Sequence, residues 1–509
     1  GGITKKRGKD MEMFGGLTRT SSRIAIAAAL GLGVYALSAA PASAQGYGGN
    51  CCADLEERVA ELEASAVQKG NKKVSVTVSG WVIESMNWWD DGALSDSWVG
   101  TKDADLGSRF AITGSATIAP GWSGGYNLTV TTPGAWSGNL LDGNNFGIFS
   151  NQFAQDSLSL GSIQTLYSYM YIKSDDYGTI NLGYLSPASD NAAVLADISG
   201  TVIESNVVFF EGGGFLLRPK NSNSGFNGLS GLTWGNFLSC SLVGPIGGDC
   251  YGAPQSGIRY DSPTFGGFRF EASYTDDYGG NAAKFGTALQ DAPEVWDVAV
   301  FYTGDWADFK ISAAYSYTNS NGNYFSANPA GSSQVHQLGG TVMHAPTGLG
   351  IYGYYNYEEI GGNFVNYRGV QQGVPSWNSW YLKPFIKRSW NPLGATVLYG
   401  EYGQYNDGYN GLAGVDTCAS FAGVGGIASN YCGANANNGL FVTGSEIERW
   451  GAGVVQEIDA AAMHVFARWQ NQSADIDFTG YNAVTDKRSN VNQSFETYNL
   501  FQVGGIIFF

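Results

Sequence analysis

The sequence predicts an all-β fold: a 16-stranded antiparallel transmembrane β-barrel with short periplasmic turns and long extracellular loops, preceded by a short N-terminal helix or coiled coil. Three observations predict it. The chain opens with an export leader. After the leader, no stretch reaches the roughly 18 apolar residues that a spanning helix needs. Apolar and polar residues then alternate with period two in segments whose stops are alternately short and long. The 73 glycines and 14% aromatic residues suit a wall that meets lipid on one face and water on the other.

The leader occupies residues 1–44. Residues 1–10 start Gly1-Gly-Ile-Thr-Lys-Lys and read as an upstream extension before Met11. Arg19 and Arg23 precede an apolar run from Ile24 to Leu37, which ends at Pro41 and the small-residue site Ala42-Ser43-Ala44. This is the pattern of a secretory signal peptide cleaved before Gln45. Cys51 follows Gly48-Gly49-Asn50, which lacks the bulky aliphatic residue of a lipidation site. The leader carries six Lys or Arg and two Asp or Glu, so its removal takes the net charge from −17 to −21. A chain this acidic does not bind nucleic acid through its phosphates, which requires clustered Lys and Arg.

Six cysteines in an exported chain point to disulfides more than to metal ligands. Cys418 with Cys432, and Cys240 with Cys250, are the local pairings expected, although connectivity cannot be deduced from sequence. The first would close a loop of about 15 residues, worth roughly 3 kcal/mol on the chain-entropy model. The adjacent Cys51 and Cys52 suit pairing between subunits, or stay as free thiols.

Residues 45–70 form a short periplasmic segment. Leu55, Val59, Leu62 and Ala66 repeat at spacings of four and three, as in a coiled-coil seam. Two heptads are too short to be stable alone, so the alternatives are a seam held by associated subunits and a frayed surface helix.

The barrel occupies 73–509. Val74, Val76 and Val78 alternate with Ser75, Thr77 and Ser79, and the pattern recurs in strands near 73–84, 107–119, 122–132, 162–174, 178–186, 255–262, 266–276, 294–303, 307–318, 335–344, 349–358, 378–387, 394–404, 446–456, 461–471 and 497–509. The short connections, such as Pro120-Gly121 and Ala345-Pro-Thr-Gly348, carry the residues that tight turns require. An even strand count returns both termini to the turn end. Trp81, Trp122, Trp380, Trp450 and Trp469, near strand ends, are expected in interface girdles. The last strand ends on Phe509, a C-terminal aromatic that resembles the recognition signal of the outer-membrane barrel assembly machinery.

The connection from about 187 to 254 stands apart. It is too long for an ordinary loop, yet it carries apolar groups such as Val207-Val208-Phe209-Phe210 and evenly spread carboxylates. It is expected to fold into the lumen and narrow it. The inward register of the strands places Arg109, Arg259, Arg269, Lys310, Lys383, Arg449 and Arg468 on the lumen wall, because a charge in mid-strand must face water or protein. The strand near 394–404 gives no clear register.

The order of Asp54-Leu-Glu-Glu-Arg-Val-Ala-Glu-Leu-Glu63, Lys73-Val-Ser-Val-Thr-Val-Ser-Gly-Trp81, Leu185-Ser-Pro-Ala-Ser-Asp-Asn191, Ile258-Arg-Tyr-Asp-Ser-Pro263 and the terminal Phe resembles the general porins of Gram-negative bacteria. The resemblance is specifically to an alphaproteobacterial, rhizobial-type branch, and it spans nearly the whole mature chain. It implies a homotrimeric outer-membrane channel for ions and small hydrophilic solutes, in contact with outer-membrane lipid and lipopolysaccharide. It also implies an inward-folded loop after the fifth strand whose carboxylates face a basic wall, with Asp190, Asp197, Glu204 and Glu211 as the candidates here. Apart from the resemblance, the N-terminal coiled coil is a candidate for contact with the cell wall.

Opposed charges across such a constriction order water and orient dipolar solutes, and the acidic excess favours cations. The alternatives are a substrate-selective channel for sugars or dicarboxylates, a closed structural or adhesin barrel, and a soluble β fold. No enzyme is expected. Gly121-Trp-Ser-Gly-Gly125 matches a nucleophile-elbow pattern but lies between two strands, where that motif needs a strand-to-helix turn. His336, His344 and His464 have no metal-ligand spacing, so no catalytic residue, metal or cofactor is expected.

Overall fold

The computed structural model describes residues 74–100, 107–132, 163–205, 213, 215–220, 230–238, 240, 254–276, 294–321, 332–360, 363–365, 371–373, 376–408, 416–418, 431–432, 438–482 and 487–509. The leader, the expected helix, Cys51, Cys52, Glu211 and Cys250 lie outside these residues.

Sixteen strands form the wall: β1 (Thr77–Asp90), β2 (Ser108–Ala119), β3 (Trp122–Thr132), β4 (Gln164–Ser174), β5 (Gly178–Leu185), β6 (Gln255–Asp261), β7 (Phe268–Asp276), β8 (Glu294–Trp306), β9 (Phe309–Asn321), β10 (Ser332–His344), β11 (Leu349–Ile360), β12 (Trp377–Asn391), β13 (Gly394–Asn406), β14 (Gly439–Ile458), β15 (Met463–Asn482) and β16 (Tyr498–Phe508). Each pairs antiparallel with the next, and β1 pairs with β16 through Trp81↔Phe508 to Asp90↔Asn499, so the sheet closes on itself. Closure removes every free edge, the condition for a sheet to sit in lipid. Two short strands, Ser95–Gly100 and Lys487–Ser494, extend the wall at the long-loop end by pairing with β1 and β15.

The alternation read from sequence sets the two faces. Along β12, Trp377, Ser379, Tyr381, Lys383 and Phe385 are buried on the inside, while Trp380, Leu382 and Pro384 face out. Along β7, Phe268, Phe270 and Tyr274 face out, while Glu271, Ser273 and Thr275 are buried inside. The tight turns at the opposite end include Gly121 (φ 74°) and Gly348 (φ 71°), in the left-handed region that glycine adopts without strain.

β14 and β15 run twenty residues each: β14 begins at Gly439, well before the expected 446, and β15 ends at Asn482, well past the expected 471. The alternation that marks membrane depth ends lower down, but the hydrogen-bonded hairpin continues into water. A second correction concerns Trp81. It points inward with the Arg109 guanidinium 4.4 Å over its ring, and so is no part of an outer girdle. Trp122, Trp380, Trp450 and Trp469 do lie on the outer face.

Candidate functional site

The connection between β5 and β6 runs round the inside of the wall, and its described residues can be followed strand by strand. Ala188 and Ser189 donate their backbone N–H groups to Asp297 on β8, and the hydroxyls of Ser189 and of Ser273 on β7 bond the same carboxylate. Gln337 of β10 donates to the Ser189 carbonyl at 3.1 Å. The chain next passes over Gly339, where an added Cβ would collide with the Ala193 backbone. Tyr352 of β11 donates its hydroxyl to the Ala193 carbonyl at 2.8 Å, and Thr341 donates to the Ala196 carbonyl at 2.6 Å.

The strongest attachment is at β12. Lys383, completely buried, donates to Asp197 Oδ2 at 2.5 Å, Thr201 Oγ1 at 2.8 Å and Ser205 Oγ at 2.9 Å. One ammonium has three donors and here each has an acceptor, all from the same loop. Farther round, Tyr399 of β13 and Arg468 of β15 donate to the Glu204 carbonyl, and the Glu204 carboxylate bonds His464 Nδ1 at 2.7 Å. Beyond 205 the described pieces reach the long-loop end. Arg218 makes a two-pronged contact with Asp91 after β1 (3.2 and 2.8 Å), and Pro219 bridges to Phe495. Phe215 stacks among Trp89, Trp98 and Tyr498, and Phe237 approaches Gly408 beyond β13.

Of the carboxylates singled out in this loop, Asp197 and Glu204 are buried and bonded to wall residues, and Asp190 is buried with Asn191 donating to it at 2.6 Å. Among the wall cations, Lys383 and Arg468 therefore meet the loop directly. Arg449 is buried with its guanidinium 5.3 Å over Tyr405. Arg259 lies on the opposite side: it bonds Asp261 at 2.7 Å and the Ser186 carbonyl at 2.8 Å. Arg269 pairs with Glu271 at 3.0 Å and sits 4.5 Å over the Phe301 ring. Lys310 is exposed near the turn end.

The inner face of β2 to β6 is covered only in part: Thr129, Thr131, Asn181 and Gln255 are buried, while others stay open. Arg109, Thr113, Asn127, Tyr169, Arg259 and Asp261 are all half-exposed there. Toward the turn end, a cavity of about 240 Å³ opens between Leu195, Arg269, Phe301, Thr303 and Ser312.

Sequence reasoning missed several participants. Asp297, His464, Gly339 and the Asp91–Arg218 pair each hold the loop but look ordinary in sequence. Tyr352, Tyr354, Tyr381, Tyr399 and Tyr405 form a buried inner layer where the alternation rule expects polar groups. Tyr354 and Tyr381 stack at 5.1 Å, and Tyr381 bonds Glu401. The run of Tyr on both faces of β13 is the signal that this wall is covered. The 394–404 segment acquires its register here, with Val397, Tyr399, Glu401 and Tyr405 inward.

In the loop between β13 and β14, Cys418 and Cys432 form a disulfide with Cα atoms 5.1 Å apart. Cys240 is also disulfide-bonded. Close to the first of these bonds in sequence, Asp407 just beyond β13 has its carboxyl pushed up from the usual range by burial.

A family profile described as Gram-negative porin matches residues 26–417, well over half of the chain. No curated protein matches in sequence. Among solved structures, the outer-membrane protein OmpT of Vibrio cholerae is 11% identical with TM-score 0.46, covering 87% of this chain and 100% of its own. OprB of Pseudomonas putida, in a high-pH structure, is 8% identical with TM-score 0.47, covering 90% and 97%. The outer-membrane channel DcaP of Acinetobacter baumannii is 9% identical with TM-score 0.42, covering 86% and 99%.

Proposed function

We infer the function from one premise: this chain belongs to the Gram-negative porin family. It is an outer-membrane β-barrel that forms a channel for passive diffusion of ions and small hydrophilic solutes. The observation that carries this reading is a closed wall with a charged inner face, on one side of which Arg109, Thr113, Asn127, Tyr169 and Arg259 stay half-exposed while the inward loop is bonded to the other.

The finer points are our own reading. The segment 187–254 narrows the passage. Asp197 and Glu204, buried against Lys383, His464 and Arg468, serve to anchor it. Glu211 is kept as a candidate for charge at the narrowest point. Because Asp197 and Glu204 are compensated, cation preference should be weak and arise mainly from the net charge of −21 left after the leader's +4 is removed from −17. Homotrimeric assembly and the alphaproteobacterial branch rest on the sequence resemblance. The barrel performs no bond chemistry.

Reversal potentials and single-channel steps in a planar bilayer test this. Large, weakly cation-selective steps that close in threes are expected, with selectivity fading as salt shortens the Debye length from about 30 Å at 0.01 M to about 3 Å at 1 M. Chloride passing more readily than potassium would sink the cation preference. Saturable block by a sugar or dicarboxylate would favour a substrate-selective channel, and silence would favour a closed structural barrel.

A further inference from the structure

Three tyrosines stand in a row on the open side of the inner wall. Along β4 the outward positions are Ser168, Met170 and Ile172, all exposed, so the alternation turns Tyr167, Tyr169 and Tyr171 into the lumen. All three are half-exposed. Ring faces left open in a water-filled lumen keep apolar surface unburied, which only a solute can cover.

The wall around these rings is shaped by missing side chains. Tyr171 lies across Gly125 of β3, where an added Cβ would collide with its ring, so the ring leans over β3 and turns a face to the lumen. Tyr169 pairs with Gly183 of β5, which pairs in turn with Gly257 of β6. Two successive strands therefore raise no side chain beside the Tyr169 ring, over a strip about 10 Å wide. Tyr167 closes the end toward the long loops, its ring 6.4 Å from that of Tyr169 and inclined at 75° to it.

The polar groups beside the rings are charged but compensated. Tyr171 pairs with Asn181, and Asn181 with Arg259. Arg259 holds Asp261 through two hydrogen bonds, at 2.7 and 3.1 Å, and Asn181 donates to the same carboxylate at 3.0 Å. Asp261 thus uses three of the roughly four acceptor positions of a carboxylate. Glu271 pairs with Arg269 at 3.0 Å, so two guanidiniums meet two carboxylates and the cluster carries no net charge. On the other flank Asn127 reaches the Tyr169 hydroxyl at 3.4 Å, and the Tyr171 hydroxyl makes no hydrogen bond among the described residues. A charged solute gains little from so neutral a rim. A hydroxyl, donor and acceptor at once, can bond every group in it. Arg259 also donates to the Ser186 carbonyl at 2.8 Å, which sets the rings beside the root of the inward loop.

We propose that the row Tyr167, Tyr169 and Tyr171, with Arg259 and Asp261, is a contact site for neutral hydroxylated ring solutes, that is, pyranose sugars. The apolar C–H face of the sugar lies on the Tyr169 or Tyr171 ring, while its hydroxyls bond Asp261, Asn127 and the tyrosine hydroxyls. The contact is slight: it enriches such solutes along β4 without arresting the ion current. It deepens the passive-diffusion reading by naming a favoured solute class, and it rests on that reading.

Swelling of liposomes that carry the purified protein tests this, with glucose and with sorbitol, its open-chain counterpart, which has the hydroxyls but no rigid ring face. Heat-modifiable migration checks that each barrel is folded. The unaltered protein is expected to pass glucose about threefold faster than sorbitol, the scale of one ring-face contact. Tyr169→Leu combined with Tyr171→Leu keeps apolar bulk but removes the rings, and should bring the ratio to about one. Tyr169→Phe combined with Tyr171→Phe keeps the ring faces and should retain most of the preference. The ratio is taken within each variant, so a wider or narrower lumen cancels. A ratio near one in the unaltered protein, or a preference that survives the Leu pair, would overturn the site and leave the diffusion reading standing. Swelling by neither solute would overturn the diffusion reading itself, and the site with it. If the Leu pair does not fold, Tyr171→Leu alone decides, with the ratio expected to fall by about half.

Discussion

The two sides of the inner wall are built from the same strands yet serve different ends. From β7 round to β16, most inward side chains are buried, and each polar group that touches the loop has a named partner on it: Asp297, Gln337, Tyr352, Lys383, Tyr399 and Arg468 all bond loop backbone or carboxylates. From β2 to β6, the inward residues Thr113, Asn127, Tyr169 and Arg259 remain half-exposed. The covered side is a protein interior, where size and pairing are fixed by contact. The open side is a surface, where charge and volume are free to set what passes. The same substitution should therefore have opposite consequences on the two sides.

The largest effect is expected at Lys383. Replacing it with Met leaves Asp197 buried without its cation, which should cost about 3–5 kcal/mol. The loss should appear as a lower urea midpoint and as larger, noisier channel steps once the loop leaves β12. Adding Asp197→Leu to Lys383→Met should recover most of that stability, because a buried pair replaced on both sides by apolar groups is often neutral. If the double variant is as unstable as the single one, pairing is not what makes Lys383 important.

Next comes Gly339→Val. The side chain would intrude on the Ala193 backbone, and overpacking of this kind costs about 1–3 kcal/mol. Limited proteolysis within 187–254 should become faster while the barrel stays heat-modifiable. The smallest effect on stability is expected on the open side. Thr113→Val should shift unfolding by no more than about 0.5 kcal/mol, and channel steps should change more than the unfolding midpoint does.

Much of the wall was legible in the sequence, because a period of two survives wherever one face meets lipid. Val74 to Val78, Phe268 to Tyr274 and the Gly and Pro turns all carried it. Legibility failed where the inner face is covered by protein and no longer polar. β13 has Tyr399 and Tyr405 inside and Tyr402 outside, so its two faces look alike. It failed also above the membrane, where β14 and β15 extend as hairpins with no lipid to impose alternation.

For the site, Asp197 and Lys383 were both recognised as lumen charges. That they touch is a matter of tertiary distance across 186 residues of chain, which periodicity does not encode. The anchoring role of Gly339 was invisible for the same reason: a glycine in a strand signals close approach, but not of what.

The most direct test of this contrast is chemical access to the two sides during conduction. Thr113→Cys, on β2, and Ser379→Cys, on β12, would each be exposed to a charged methanethiosulfonate reagent while current is recorded in a planar bilayer, with the unaltered protein as control. Thr113 is half-exposed on the open side, whereas Ser379 is completely buried beneath the loop-bearing side. Stepwise loss of conductance with Thr113→Cys, and unchanged current with Ser379→Cys, is the predicted result. Equal modification of both positions, or of neither, would contradict a passage that runs along β2 to β6 with the loop held against the opposite wall.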